Sequence, residues 1–210
     1  MDELRLIPLD ARRLQDFERL LSGKEFGGCY CAVWSNQDEQ WAERCKERPH
    51  ENLEHTSVRV RKGQHAGFLV ARVADGAIVA WTGSGPKPAF PSLKDRPGSR
   101  LGTWSDSVWA VGCLAIGFAN RGRHYAPEIV RLIVAEAISR GASSVEAYPI
   151  EPASEEGAYR GTRKLYEDLG FTVADGEPSG DLHAVRMVKT LEGASTAVAD
   201  EASGEELTTG

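Results

Sequence analysis

Residues 106–141 form the segment that most restricts how this chain can fold. A β-rich apolar run, DSVWAVGCLAIGF, leads into a short polar loop, ANRGRH, and then into residues 125–140, whose apolar side chains recur at helical spacing. Gly141 follows the last periodic residue, where glycine commonly ends a helix. The segment therefore predicts a buried strand, a tight connection and a helix, which is a unit of a layered α/β fold.

The other segments predict further strands and helices around this unit. Strands are predicted within residues 4–10, 65–85, 143–151 and 171–191, and helices within residues 10–23, 36–63 and 162–170. Asp75-Gly76 separates two β-rich runs and predicts a tight hairpin turn. The order along the chain, β-α-α-β-β-β-α-β-α-β-β, predicts one mixed central sheet flanked by helices in a single domain of residues 1–191.

The acidic excess of the chain comes mainly from its last residues. The 210 residues carry 25 basic and 31 acidic side chains, and five of those acids lie within residues 192–210. That segment has few large apolar residues, so we expect an acidic, disordered tail. The remainder is nearly neutral, and nothing in it predicts nucleic acid as a partner.

The apolar and cysteine content indicate a cytoplasmic protein. The start, MDELRLIPLD, has no apolar signal-peptide core, and no apolar stretch approaches the length of a membrane span. The four cysteines are too few and too unevenly spread for a disulfide framework. We therefore expect free thiols and no membrane partner.

The loop before the predicted helix carries groups that could bind an anion. Pro127 fits the first helical turn, which leaves the amides of about Gly122 to Ala126 without intrahelical partners. Such amides, at the positive end of a helix dipole, suit a phosphate, and Arg121 and Arg123 could add charge. The alternative is a solvated basic loop in which Gly122 only turns the chain.

The sequence resembles the GNAT superfamily of acyl-CoA-dependent N-acyltransferases. Its phosphate turn reads Arg/Gln-x-x-Gly-x-Gly/Ala, and Arg121, Gly122, Arg123, His124, Tyr125 and Ala126 match it at the first and last positions. GCYCAVWS is similar to a Cys-x-Cys segment of one bacterial branch. VAWTGSGPKPAFPSL and KLYEDLGF are similar to further elements, so the resemblance spans most of residues 1–191.

The resemblance implies an acetyl-CoA-dependent N-acetyltransferase that acts on a small-molecule amine. The fourth strand would carry a bulge, splay from the fifth and pair with the pantetheine arm of acetyl-CoA through Leu114, Ala115 and Ile116. Tyr166 falls where the superfamily has the tyrosine that protonates the departing thiolate. Dimers are common in such proteins, so a homodimer is one expected assembly.

Transfer to an amine also needs a base, for which the sequence offers several residues. Glu146 in the fifth strand and Asp106 before the fourth are the main choices, and Glu151, His183 and ordered water are further options. Each of these acids could equally be a solvated charge at a strand end. Tyr166 could likewise be a packed helix residue beneath the sheet.

The Cys-x-Cys segment has two interpretations. Cys29, Tyr30, Cys31 and Trp34, together with Trp104 at the end of a proline-rich loop, could line the acceptor pocket or pack beneath it. Cys45, His50 and His55 could complete a zinc site with the two cysteines. One intervening residue is a poor zinc spacing, however, so no metal is predicted.

His124 is the residue on which the functional prediction most depends. Glycine at that place lets the backbone approach a pyrophosphate without a Cβ in the way. His124 could point outwards and leave its amide usable, or it could block the site. In the second case the chain would be a GNAT fold repurposed for another donor, another reaction or ligand sensing.

Overall fold

A computed structural model describes residues 2–35, 40–94, 102–151, 158–174 and 183–192. The strands are β1 (Leu4–Pro8), β2 (Phe68–Arg72), β3 (Ile78–Pro86), β4 (Val108–Ile116), β5 (Ser144–Ala147), β6 (Ile150–Glu151), β7 (Thr172–Val173), β8 (His183–Ala184) and β9 (Met187–Thr190). The helices are α1 (Leu14–Leu21), α2 (Ala32–Ser35), α3 (Trp41–Glu47), α4 (Pro49–Arg61), α5 (Tyr125–Ser139) and α6 (Arg163–Glu167). The predicted acidic tail lies almost wholly outside the described residues.

One mixed sheet forms the centre of the molecule. Its seven strands run in the order β1-β2-β3-β4-β5-β9-β7, and β6 and β8 form a separate two-stranded sheet. Neighbours in the large sheet are antiparallel except β4 and β5, which are parallel and flank the crossover helix α5. This architecture confirms the predicted mixed α/β fold, with the two short strands β6 and β8 as an addition.

Local sequence signals explain where several elements begin and end. The Asp10 side chain accepts a hydrogen bond from the Arg12 amide before α1, and Thr162 caps α6 through the Leu165 amide. Gly76 has a φ of +72° in the hairpin between β2 and β3, which explains the glycine there. The predicted Asp75-Gly76 turn is therefore the one that the fold uses.

Two apolar clusters cover opposite faces of the sheet. On one face α5 and α6 pack through Ile129, Ile133 and Tyr166, together with Phe171. On the other face Phe17 of α1 and Trp34 of α2 belong to a cluster that includes Trp81 of β3. The alternation of side chains along each strand supplies both clusters at once, because successive residues face opposite sides.

The pairing between β4 and β5 ends halfway along β4. Residues 108–111 of β4 pair with residues 144–147, and the register between β3 and β4 shifts around Gly112. A Cβ on Gly112 would lie only 3.0 Å from Trp34 Cε2, so this position favours glycine. The bulge and the splay expected from the resemblance are both present, and the second half of β4 faces a cleft.

No helix in the described part of the chain is both long and apolar enough to cross a membrane.

Candidate active site

A cavity of about 420 Å³ lies at the C-terminal end of β4. Its lining includes Leu114, Ile116, Asn120, Arg121, Gly122, His124, Tyr125, Ala126, Pro127, Tyr159 and Gly161. The splayed half of β4, the loop after it and the first turn of α5 thus border one space. Most of the predicted donor-binding residues meet here, although Ala115 points to the opposite face of the sheet, where it is buried.

The turn before α5 presents its amides without protein acceptors. Among the residues that the structure describes, none accepts a hydrogen bond from the amides of residues 122–126. Pro127 has no amide hydrogen, and α5 is fifteen residues long, so its dipole adds a partial positive charge at this end. The turn is therefore built to receive an anion.

His124 adopts the backbone conformation that glycine would adopt. Its φ and ψ are 59° and 32°, in the left-handed region, and Gly122 also has a positive φ of 74°. Histidine tolerates this region better than β-branched residues do, at some conformational cost. Its side chain is exposed and borders the cavity. The turn keeps its shape despite the side chain that replaces glycine.

The two arginines of the turn have different surroundings. Arg121 borders the cavity, donates from Nε to the Ile116 carbonyl at 3.3 Å and lies 6.0 Å from the Tyr159 ring centroid. Arg123 instead pairs with Asp2 at 3.5 Å and does not line the cavity. The prediction that its side chain contacts phosphate is therefore not supported, because the acid at the chain start attracts it away.

Tyr166 is fully buried beside the same cleft. Its hydroxyl donates to the Arg160 carbonyl at 2.8 Å, and a Cβ on Gly161, a cavity residue, would lie 3.1 Å from that hydroxyl. Burial, followed by the nearby Cys113 thiol, raises the pKa of Tyr166 well above its usual value. The phenol is protonated at neutral pH and separated from the cavity by one backbone segment.

Solved structures with this architecture are N-acetyltransferases. A structure of AAC(6')-Ib in complex with ribostamycin and coenzyme A has a TM-score of 0.59 and 17% identity, covering 95% of this chain and all of that one. The PaiA N-acetyltransferase of Thermoplasma acidophilum, in complex with coenzyme A, has a TM-score of 0.52 and 13% identity over 90% of this chain and 99% of its own.

A GNAT-family protein from Desulfovibrio desulfuricans matches with a TM-score of 0.52 and 12% identity, covering 90% of this chain and 99% of that one. The chain has the GNAT fold. No family model matches the sequence, and no curated protein matches it significantly. The likeness therefore lies in the three-dimensional arrangement rather than in the overall sequence.

Within this GNAT fold, Glu146 is the centre of a buried charge cluster. Its carboxylate accepts from Lys87 at 2.7 Å, from Arg186 at 2.8 Å and from the Tyr148 hydroxyl at 2.5 Å. The Lys87 side chain is fully buried, and that of Glu146 is 3% exposed. These contacts hold the start of the proline-rich segment against β5 and β9. They favour a structural role for this carboxylate over the predicted role as a base.

The other predicted bases lie away from the cavity. Asp106 precedes β4, whereas the phosphate turn follows β4, so the length of a nine-residue strand separates them. Asp106 borders a different cavity, beside Arg59 and His65. Glu151 lies opposite His183 in the small sheet and pairs with Arg163 at 3.4 Å. The structure does not bring Asp106 to the turn.

The GCYC segment packs beneath the opposite side of the cleft. Tyr30, Cys31 and Trp34 are buried, and Cys29 is partly buried. The Trp34 ring lies against the β4 bulge, and the Arg160 guanidinium lies 4.7 Å from its centroid. The Trp104 ring lies beside two lysines, with its centroid 4.9 Å from Lys94 Nζ and 5.8 Å from Lys87 Nζ.

The alternative interpretation of these cysteines was a zinc site. Across the described ranges, no three cysteine, histidine or acidic side chains converge as metal ligands would. None of the four cysteines, all of which lie in the described ranges, is in a disulfide.

Three cavity residues had no role in the sequence-based site. Asn120 and Gly161 border the cavity, and so does Tyr159, whose ring is tilted against that of Phe26 with the centroids 5.9 Å apart. Asn120 lies next to the recognised turn, so its sequence position could have indicated it. Tyr159 and Gly161 reach the cavity from the segment before α6, and nothing in their local spacing predicts that.

The left-handed conformation at His124 predicts opposite effects of two substitutions. His124→Gly removes the Cβ penalty and should raise the free energy of unfolding by up to about 1 kcal/mol, whereas His124→Val should lower it by about 1–2 kcal/mol. Urea denaturation measures both. A destabilised His124→Gly variant would contradict the left-handed backbone at this residue.

The buried ion pair predicts strong coupling between Lys87 and Glu146. Glu146→Gln should destabilise the fold by about 3–5 kcal/mol, because it removes the buried charge that both Lys87 and Arg186 contact. Lys87→Met should cost less, because Arg186 still pairs with Glu146, and the double variant should lose less than the sum of the two. Glu136→Gln, which breaks the exposed pair with Arg140, is the control and should cost below about 1 kcal/mol. Additive losses in a thermodynamic cycle would refute direct pairing.

Proposed function

We propose that the protein is an acetyl-CoA-dependent N-acetyltransferase that transfers an acetyl group to a small-molecule amine. The observation that carries this proposal is the row of unbonded amides at residues 122–126, at one end of a cavity bordered by the splayed half of β4. Amides at a helix N-terminus bind phosphate groups, and an unpaired strand edge can pair with an extended chain. Acetyl-CoA supplies both a pyrophosphate and an extended pantetheine arm.

In this proposal, each part of the cavity contacts one part of acetyl-CoA. The amides of the turn and the Arg121 guanidinium bind the pyrophosphate, with His124 beside it. The backbone of Leu114 and Ile116, with which no strand of the described residues pairs on the β5 side, pairs with the pantetheine arm. The acetyl group then lies near Gly112, where β4 and β5 separate. The structural neighbours bound to coenzyme A support this arrangement.

The reaction follows from this placement. The neutral amine attacks the thioester carbonyl, and the collapse of the tetrahedral intermediate releases a thiolate that requires a proton. Tyr166 is the proton donor in this proposal, because its hydroxyl is protonated and lies behind Gly161. To donate, the hydroxyl must exchange its bond to the Arg160 carbonyl for one to the sulfur.

The acceptor amine must lose its proton before it can attack the thioester carbonyl. Among the described residues that border the cavity there is no carboxylate, and Glu146 already accepts from three donors. We therefore assign deprotonation to solvent, including ordered water, rather than to Glu146 or Asp106. The rate should then rise with pH as the neutral fraction of the amine increases.

The acceptor side of the cleft is lined by aromatic and cationic groups. Trp34 lies against the bulge under the Arg160 guanidinium, and Tyr159 packs with Phe26 at the cavity wall. Cys29, Tyr30 and Cys31 support this wall from beneath, and Trp104 lies further away. We propose that a compact amine enters over Trp34. The neighbour bound to ribostamycin shows that a protein with this fold can accept an amine-bearing small molecule.

Calorimetric titration with acetyl-CoA tests the proposal directly. Wild-type protein should bind one equivalent, with a dissociation constant between roughly 1 µM and 1 mM. Arg121→Ala should weaken binding about tenfold, because it removes a charged donor from the cavity. Arg123→Ala is the matched control and should change binding less than about threefold, since Arg123 faces Asp2. Absence of binding would favour a repurposed GNAT fold instead.

Substitution of Tyr166 tests its role as proton donor. Tyr166→Phe should lower kcat by about 100-fold or more while leaving the dissociation constant of acetyl-CoA nearly unchanged. Loss of the bond to Arg160 should cost only about 1 kcal/mol of stability, so the variant should fold. Tyr159→Phe is the control, with little change in kcat. Equal kcat in wild type and Tyr166→Phe, measured by thiol release, would exclude the assignment.

A further inference from the structure

A second cavity, of about 570 Å³, lies at the other end of β4 from the proposed donor site. Its border includes Arg59 near the end of α4, His65 in the loop that follows, Pro86 at the end of β3 and Asp106 before β4. None of these residues borders the donor cavity. The proposed acetyl transfer therefore leaves this second cavity and its charged side chains without a role.

Two buried polar atoms beside this cavity have no hydrogen-bond partner. Within the described part of the chain, Arg59 Nε and His65 Nε2 are the buried side-chain nitrogen or oxygen atoms to which no partner is bonded. Buried polar atoms of folded proteins nearly always have a partner in the protein, in water or in a ligand. Because both exceptions belong to residues that border one cavity, they indicate a site for a polar ligand.

The Arg59 guanidinium is restrained but retains donors that can bind a ligand. Nη2 donates to the Gln64 carbonyl at 2.6 Å, whereas Nε and Nη1 donate to none of the residues that the structure describes. Partial burial lowers the pKa of Arg59, although an arginine remains charged at neutral pH. A restrained cation of this kind favours a carboxylate, which a guanidinium can bind through two hydrogen bonds.

The His65 ring is held in place by aromatic contacts. It stacks on Trp81, with the centroids 5.9 Å and the planes 12° apart, and it lies edge-on to Phe17 at 6.5 Å. Burial, and then the charge of Arg59, lowers the pKa of His65 to about 4, so the imidazole is neutral at neutral pH. The ring therefore adds a hydrogen-bonding group beside Arg59 without adding a second positive charge.

Much of the remaining wall is apolar. Pro86, Pro88 and Pro91 border the cavity and have no amide hydrogen to offer a ligand. Ala66 packs against the end of β3 because Gly85 has no side chain, since a Cβ there would lie 2.7 Å from that of Ala66. The sequence thus places a small apolar surface next to the polar groups, as in many sites for small molecules.

Asp106 brings a negative charge to the same cavity. Its side chain is exposed, and neither Arg59 nor any other described residue pairs with its carboxylate. A guanidinium and a carboxylate that border one cavity without pairing can bind the two ends of a zwitterion. This arrangement distinguishes the cavity from a site for a simple anion, which Asp106 would repel.

We propose that this cavity is a binding site for an α-amino acid with an apolar side chain. The carboxylate of the ligand binds Arg59 beside His65, its ammonium group binds Asp106, and its side chain lies against the prolines. The cavity shares no bordering residue with the donor cavity. Binding there is therefore independent of the proposed acetyl transfer, and either can fail without the other.

Calorimetric titration with L-leucine tests the inference. The wild-type protein should bind one equivalent, with a dissociation constant below about 1 mM. 4-Methylpentanoate lacks only the amino group of leucine, and 3-methylbutylamine lacks only its carboxylate. Each should bind about tenfold more weakly or worse, because each loses one charged contact.

Variants locate the binding. Arg59→Met, which keeps an apolar stem, and Asp106→Asn, at an exposed position, should each weaken leucine binding about tenfold or more. Arg61→Met, at an exposed position of α4 that does not border the cavity, is the matched control and should leave the dissociation constant unchanged.

Three results would overturn the inference. The first is no binding of leucine up to about 10 mM, which would leave only water to satisfy the buried nitrogens. The second is binding of leucine that Asp106→Asn does not weaken, because this exposed substitution should not disturb the fold. The third is an analogue lacking the amino group or the carboxylate that binds as tightly as leucine.

Discussion

The end of the hydrogen-bond ladder between β4 and β5 creates the space on which the rest of the site depends. Pairing stops after Val111 because Gly112 forms a bulge, and Trp34 and the Gly83 carbonyl leave no room there for a Cβ. Beyond that point no described strand pairs with β4 on the β5 side. The cavity, the phosphate turn and the segment carrying Tyr159 and Gly161 are all arranged along this free edge.

His124 shows how a side chain can depart from a motif while the backbone retains it. The glycine of the GNAT turn provides a left-handed residue and an accessible amide. His124 provides the same backbone conformation, and no described residue accepts a hydrogen bond from its amide. The histidine side chain adds a polar ring at the border of the cavity. The mismatch with the motif at residue 124 therefore changes which side chain borders the cavity. It leaves the backbone shape of the turn unchanged.

The fold was more predictable than the roles of the charged residues. Periodicity, caps and turn residues placed the strands, the helices and the turn at residues 121–126, because these signals are local. Glu146, Asp106 and Arg123 were given functional roles from the same sequence. In the structure Glu146 is enclosed by Lys87, Arg186 and Tyr148, Asp106 lies beyond the far end of β4, and Arg123 pairs with Asp2.

The sequence by itself determined the mixed α/β architecture, the strand–turn–helix unit around β4 and α5, and the amides that the turn leaves unbonded. These follow from spacing and backbone preferences within short segments. Only the tertiary structure decided which charges neutralise one another, that Tyr159 and Gly161 join the cavity, and that Trp81 donates a hydrogen bond to the Cys31 thiol. The physical reason is that such contacts join residues far apart in the chain, and their partners are selected by packing and burial rather than by local pattern.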